Sequence, residues 1–135
     1  MKHLYLLGLV MFLFSCSAQK EIYQDNPHMI SFGTMGGFTN VNTTYKLFSD
    51  GNLWKTRKAT NDSSLMKQIK KSATKKLFKT AYALGMDTLN YDKPGNMSRF
   101  IIYKSKNFNN KVVWEGKNET LDGFYESLLL LTKED

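Results

Sequence analysis

The chain predicts an α+β domain: an antiparallel sheet of about five strands with two helices packed on one face, in the order β-β-β-(β)-α-β-β-α. Three observations carry this reading. Period-two alternation of apolar side chains marks Ile30 and Phe32, and both faces of 98–104 are apolar. Helical spacing marks Ala73, Leu77, Ala81 and Leu84, and again Leu121, Phe124, Tyr125, Leu128 and Leu129. Turn-forming clusters at Asp50-Gly51-Asn52, Lys93-Pro94-Gly95-Asn96 and 106–110 separate the apolar runs.

In order, Met29-Ile30-Ser31-Phe32 starts the fold as a strand, and Gly33-Thr34-Met35-Gly36-Gly37 is expected to break it. Extended structure resumes over 38–49, where Thr, Val, Tyr and Phe predominate, and Asp50-Gly51-Asn52 turns the chain into a third strand at 53–58. The segment 64–71 suits a short strand or a helical lead-in, and a strand or irregular edge is preferred. Ser72 is expected to cap the first helix, with Phe78 widening its apolar stripe and Gly85 ending it. After the Pro94 turn, 98–104 reads as a central strand because Phe100 and Ile102 lie on one face and Ile101 and Tyr103 on the other. Residues 111–115 pair back, and a last helix covers roughly 119–131.

Ahead of this domain, Lys2 and His3 precede eleven unbroken apolar residues, 4–14. A bilayer needs about 20, so the run has the proportions of a secretory signal. Leu13-Phe14-Ser15-Cys16 resembles the lipobox of bacterial lipoproteins, in which the Cys is acylated and becomes the new N-terminus. The organisation read from this is a signal peptide at 1–15, a lipidated Cys16 with a flexible tether at 16–28, and a single domain at 29–135. The implied location is the outer membrane, facing periplasm or exterior, with the lipid bilayer as first partner through acylated Cys16. Cys16 is the one cysteine of the chain, so once it is acylated no disulfide, thiolate metal site or cysteine nucleophile is available.

The charge of +7 favours anionic lipid, polyanions or an acidic partner. Lys67, Lys70, Lys71, Lys75, Lys76 and Lys79 concentrate it around the first helix, where Lys71, Lys75 and Lys79 recur every four residues. Such a stripe either binds an anionic surface or is the wet face of a helix. Nucleic acid is not expected for an exported chain without a recognised motif. Gly33 to Gly37 lacks the Lys-Ser/Thr and the helix of a phosphate loop and reads as a wide hairpin or bulge turn. His28 reads as a solvated loop residue without partners. Asp87, Asn90 and Asp92 read as turn residues, since their spacing is not that of a Ca²⁺ loop. No nucleophile, base and orienter occur together, so no catalytic residue, metal or cofactor is assigned and no enzymatic activity is expected.

The pattern Ile30-Ser31-Phe32, Gly36-Gly37-Phe38, Asp50-Gly51, a short helix ending at Leu84-Gly85, then 98–103 and Val112-Val113-Trp114 resembles emfourin, a family of small protein inhibitors of thermolysin-like metallopeptidases. The Phe-Gly-x-x-Gly-Gly-Phe-Thr opening is also similar to small Bacteroidetes-type lipoproteins. The resemblance implies a protein-binding module that inhibits a peptidase, for which Gly36, Gly37 and Phe38 are the candidate contact residues; Lys71, Lys75 and Lys79 are a second candidate surface, read from their charge and spacing. An immunity protein against an envelope toxin, or a structural envelope component, is the alternative.

Overall fold

The computed structural model describes residues 28–37 and 43–134. Seven strands and two helices occur among them: β1 (Met29–Gly36), β2 (Thr43–Phe48), β3 (Asn52–Arg57), β4 (Asp62–Gln68), α1 (Lys71–Ala83), β5 (Asp92–Lys93), β6 (Met97–Lys104), β7 (Asn109–Trp114) and α2 (Glu119–Leu130). They form one sheet of order β4-β3-β2-β1-β6-β7-β5. All pairings are antiparallel except β5 with β7, which is parallel. The α+β class is as expected, and the strand count is corrected from about five to seven. The strand absent from the sequence reading is β5. Its two residues carry no alternation, and only its pairing to Val113 and Trp114 defines it.

Register puts Ile30, Phe32, Leu47, Leu53, Ile101, Tyr103, Val112 and Trp114 on one face of the sheet, and all are buried. Both helices cover that face. Tyr125 of α2 meets Phe32 and Trp114 edge-on at 6.3 and 5.6 Å between ring centroids, and Phe78 of α1 meets Tyr103 at 6.5 Å. As expected, β6 is central, lying between β1 and β7. Its opposite face buries Phe100, whose ring lies over Gly33 with the Lys111 ammonium 5.7 Å from its centre.

The expected break at Gly33 falls three residues later, because β1 runs to Gly36. Gly33 is paired on both sides, to Thr44 and Phe100, and a Cβ there would stand 2.5 Å from the Thr43 carbonyl oxygen. Glycine within this strand therefore marks a close backbone approach and not a stop.

The first helix departs from expectation in its rotation. Lys70 occupies the N-cap without a side-chain hydrogen bond, so Ser72 is not the cap. Thr74, Phe78 and Ala81 are buried, while Ala73 is exposed and Leu77 and Leu84 are half-buried. The entry from β4 sets this angle. Ile69 N–H donates to the Gly51 carbonyl at 2.8 Å, which brings Thr74 against Gly51, and the Thr74 hydroxyl satisfies itself by donating to the Lys70 carbonyl at 3.1 Å. Gly85 ends the helix as expected. At φ 72° it donates to Tyr82, and Met86 N–H donates back to Ala81, a Schellman closure that buries Met86.

For α2 the expected inward residues Leu121, Phe124, Tyr125 and Leu128 are buried and Leu129 is half-buried. Asn118 caps it by accepting from Leu121 N–H at 3.1 Å, and Asp122 reaches back to accept from Asn118 N–H at 2.9 Å.

Candidate functional site

The residues singled out by sequence fall at opposite ends of the strands. Gly36 pairs with Met97 at one end of the sheet, whereas Met29 pairs with Lys104 at the other, the end on which the N-terminal segment enters. Cys16 and Phe38 lie outside the described residues. α1 lies toward the Met29 end, where Ile69 N–H donates to Gly51 ahead of it and Phe78 packs on His28, so the Gly36-Gly37 corner and the α1 lysines are two separate surfaces.

At the far end, β1 turns on two glycines. Gly36 and Gly37 have φ of 92° and 82°, in the region that side chains with a Cβ rarely adopt. Gly37 N–H donates to the Asn96 carbonyl at 2.9 Å, and a Cβ on Gly36 would meet that same oxygen at 2.4 Å. The opposing loop is held in turn: Gly95 N–H donates to Ser98 Oγ at 2.8 Å and Met97 N–H to Glu115 Oε1 at 3.2 Å. Met97, 57 % exposed, lies against Gly37. The corner is thus a braced turn carrying an accessible thioether, and Met97 was not legible as a surface residue because its apolar side chain resembles a core position. Gly36→Ala is expected to lose about 1–3 kcal/mol of stability through backbone strain, read as a lower midpoint in a urea melt.

At the near end, α1 exposes Lys71, Lys75, Lys76 and Lys79, with Lys70 at its N-cap, and has no acidic residue in its first turn. Lysines at the positive end of the helix oppose its dipole. The Lys71–Lys75 and Lys75–Lys79 pairs each disfavour the helix by about 0.2–0.5 kcal/mol. Among the described residues the ion pairs are Arg99–Asp122 and Lys117–Glu119, so no α1 lysine is in one.

His28 is corrected from a solvated loop residue to a packed one. Its Nε2 lies 2.9 Å from the Tyr103 hydroxyl and its ring meets Phe78 edge-on at 4.5 Å. Its carbonyl accepts from Ser49 N–H at 3.0 Å. Partial burial lowers the imidazole pKa; burial raises that of the Tyr103 hydroxyl, with Asp87 and Tyr82 adding to the rise. The chain thus leaves the core beside α1 from a fixed point. Nothing in the sequence around His28 signals this, since Phe78 and Tyr103 are 50 and 75 residues away.

Asp87 lies in the turn after α1, as expected, whereas Asp92 belongs to β5. Among the described residues no three His, Cys, Asp or Glu side chains are grouped to hold a metal, and no helix is long and apolar enough to cross a membrane. No protein-family model matches the chain, and no curated protein matches it.

Proposed function

We propose that the chain is a lipid-anchored binding module and not an enzyme: an envelope lipoprotein held in the outer membrane by acylated Cys16, presenting its Gly36–Met97 end to a protein partner. The observation that supports this is the braced glycine corner beside exposed Met97, at the end of the sheet opposite the one where the tether enters. A rigid turn loses little conformational freedom on docking, and an adjacent flexible apolar side chain adapts to a pocket. The emfourin resemblance supplies the partner class, a thermolysin-like metallopeptidase, with Gly36, Gly37 and Phe38 at the contact.

Two measurements test the two halves of the reading. Metabolic labelling with a clickable fatty acid is expected to mark the parent and not Cys16→Ser, and full label in the variant would overturn the lipoprotein assignment. Titration against a thermolysin-like enzyme is expected to inhibit it, with the Met97→Asp variant markedly weaker. Absence of inhibition by the parent would remove the peptidase as partner.

A further inference from the structure

We infer that the lysine-bearing flank of α1 is a membrane-facing surface, which lies on the anionic phospholipid of the bilayer that holds the lipid and so orients the domain with its Gly36–Met97 corner pointing away. The inference rests on the lipid-anchor reading for its biological setting, but the surface itself is testable without the lipid.

The first observation is where the tether enters. Next to the first residue of β1, the His28 carbonyl accepts from Ser49 N–H and its ring packs on Phe78 of α1. At 3.6 residues per turn, Lys71, Lys75 and Tyr82 lie within about 60° of Phe78 around the helix axis, and Lys79 about 100° away. The chain therefore joins the fold on the flank that carries the lysines, not on the flank of Ala73 and Leu77. Cys16 and His28 are twelve Cα steps apart, with residues 17–27 between them. At roughly 3.3–3.6 Å each when fully extended, these steps allow at most about 40 Å between bilayer and domain.

The second observation is the chemistry of the flank. Lys71, Lys75 and Lys79 are exposed, and Tyr82, 65 % exposed, stands among them. An aromatic ring with a polar tip beside lysines of long apolar stem matches a phospholipid headgroup layer, where such rings and ammonium groups settle together. Among the described residues the carboxylates toward this end, Asp50, Asp87 and Glu134, form no ion pair with an α1 lysine. The helix keeps the lysines although like charges at four-residue spacing oppose helix formation, a conflict that an anionic surface relieves.

The test uses the mature chain from residue 16 as Cys16→Ser, so that no acyl chain contributes. Its partition is measured by cosedimentation at low salt with phosphatidylethanolamine vesicles carrying phosphatidylglycerol, and with phosphatidylcholine vesicles. Expected is binding to the first and not to the second, weakening with added salt. The triple variant Lys71→Gln, Lys75→Gln, Lys79→Gln is expected to lose at least about tenfold in partition, since each surface lysine contributes roughly fivefold. The triple variant Lys58→Gln, Lys93→Gln, Lys117→Gln, with the same net charge but altered at the far end, is expected to keep the parent's partition within about threefold. Indifference of the parent to phosphatidylglycerol would overturn the inference, as would an equal loss in both triple variants, which would assign binding to net charge. Failure of the fatty-acid labelling described above would instead remove the anchor and leave the measured surface in place.

Discussion

Truncation after Thr120 is expected to abolish the cooperative melt of this domain. The deleted residues include Leu121, Phe124, Tyr125 and Leu128, all buried, and the Tyr125 ring stands edge-on to Phe32 and Trp114. Burial of each large apolar side chain contributes on the order of 1.5–3 kcal/mol, and a domain of this size has a net stability of about 5–15 kcal/mol. Losing four of them, together with the cover over Trp114, removes an amount comparable to the whole. By contrast, deletion of 17–26 leaves the His28 contacts with Phe78, Tyr103 and Ser49 in place and should hold the melting temperature near the parent's. Circular dichroism melts of the two deletions check both statements. A cooperative transition at the parent's temperature in the C-terminal truncation would show that α2 does not close the core.

The second large effect is expected at Asp122. Its Oδ1 accepts from the Trp114 indole N–H at 2.9 Å and pairs with Arg99 at 3.0 Å, while Oδ2 accepts from Asn118 N–H at 2.9 Å. Arg99 in turn lies over the Trp114 ring, 5.3 Å from its centre, and donates to the Gly116 carbonyl. One carboxylate thereby ties β6, β7 and the start of α2 together. Asp122→Ala leaves the indole N–H of fully buried Trp114 without its acceptor, which costs roughly 1–3 kcal/mol, and frees the helix N-terminus as well. The expected readout is a fall in melting temperature of several degrees.

The pH dependence follows from the same contacts. The Trp114 hydrogen bond, then the Asn118 hydrogen bond and the charges of Arg99 and Lys117, hold the Asp122 carboxyl below its ordinary value against an opposing effect of desolvation. A carboxyl with a depressed folded pKa stabilises the fold at pH above its unfolded value of about 3.9. That stabilisation is lost as pH falls through the lower folded value. The parent should therefore lose stability on acidification below the ordinary carboxylate range more steeply than Asp122→Asn. Parallel curves for the two proteins would show that Asp122 contributes nothing to acid sensitivity.

Amino-acid sequence by itself determined the features whose cause is local. Side-chain alternation and turn chemistry placed β1, β2, β3, β6 and β7 within a few residues, and the hairpin at Asp50-Gly51-Asn52 is closed by Gly51 N–H donating to Phe48. The face of α2 followed from five apolar residues at helical spacing, and the end of α1 from Gly85, because the Schellman closure needs a left-handed residue at one position. Charge concentrated on α1 was legible for the same reason, since four-residue spacing alone puts Lys71, Lys75 and Lys79 along one side of a helix.

Tertiary structure alone decided what depends on partners distant in the chain. The face that α1 buries was set by the meeting of Ile69, Gly51 and Thr74, which overrode the apolar pattern and turned Ala73 outward. The strand β5 exists because β7 offers it a free edge, and Asn110 holds the preceding turn by donating to the carbonyls of Met86 and Leu89 at 3.0 and 2.8 Å. His28 is half-buried because Phe78 and Tyr103 converge on it. The separation of the glycine corner from the lysine face is of the same kind: composition lists both, but only strand register puts Gly36 and Met29 at opposite ends of the sheet. Backbone and side-chain preferences act over a few residues, and the packing of one element on another does not, so sequence periodicity carries the first and leaves the second to the fold.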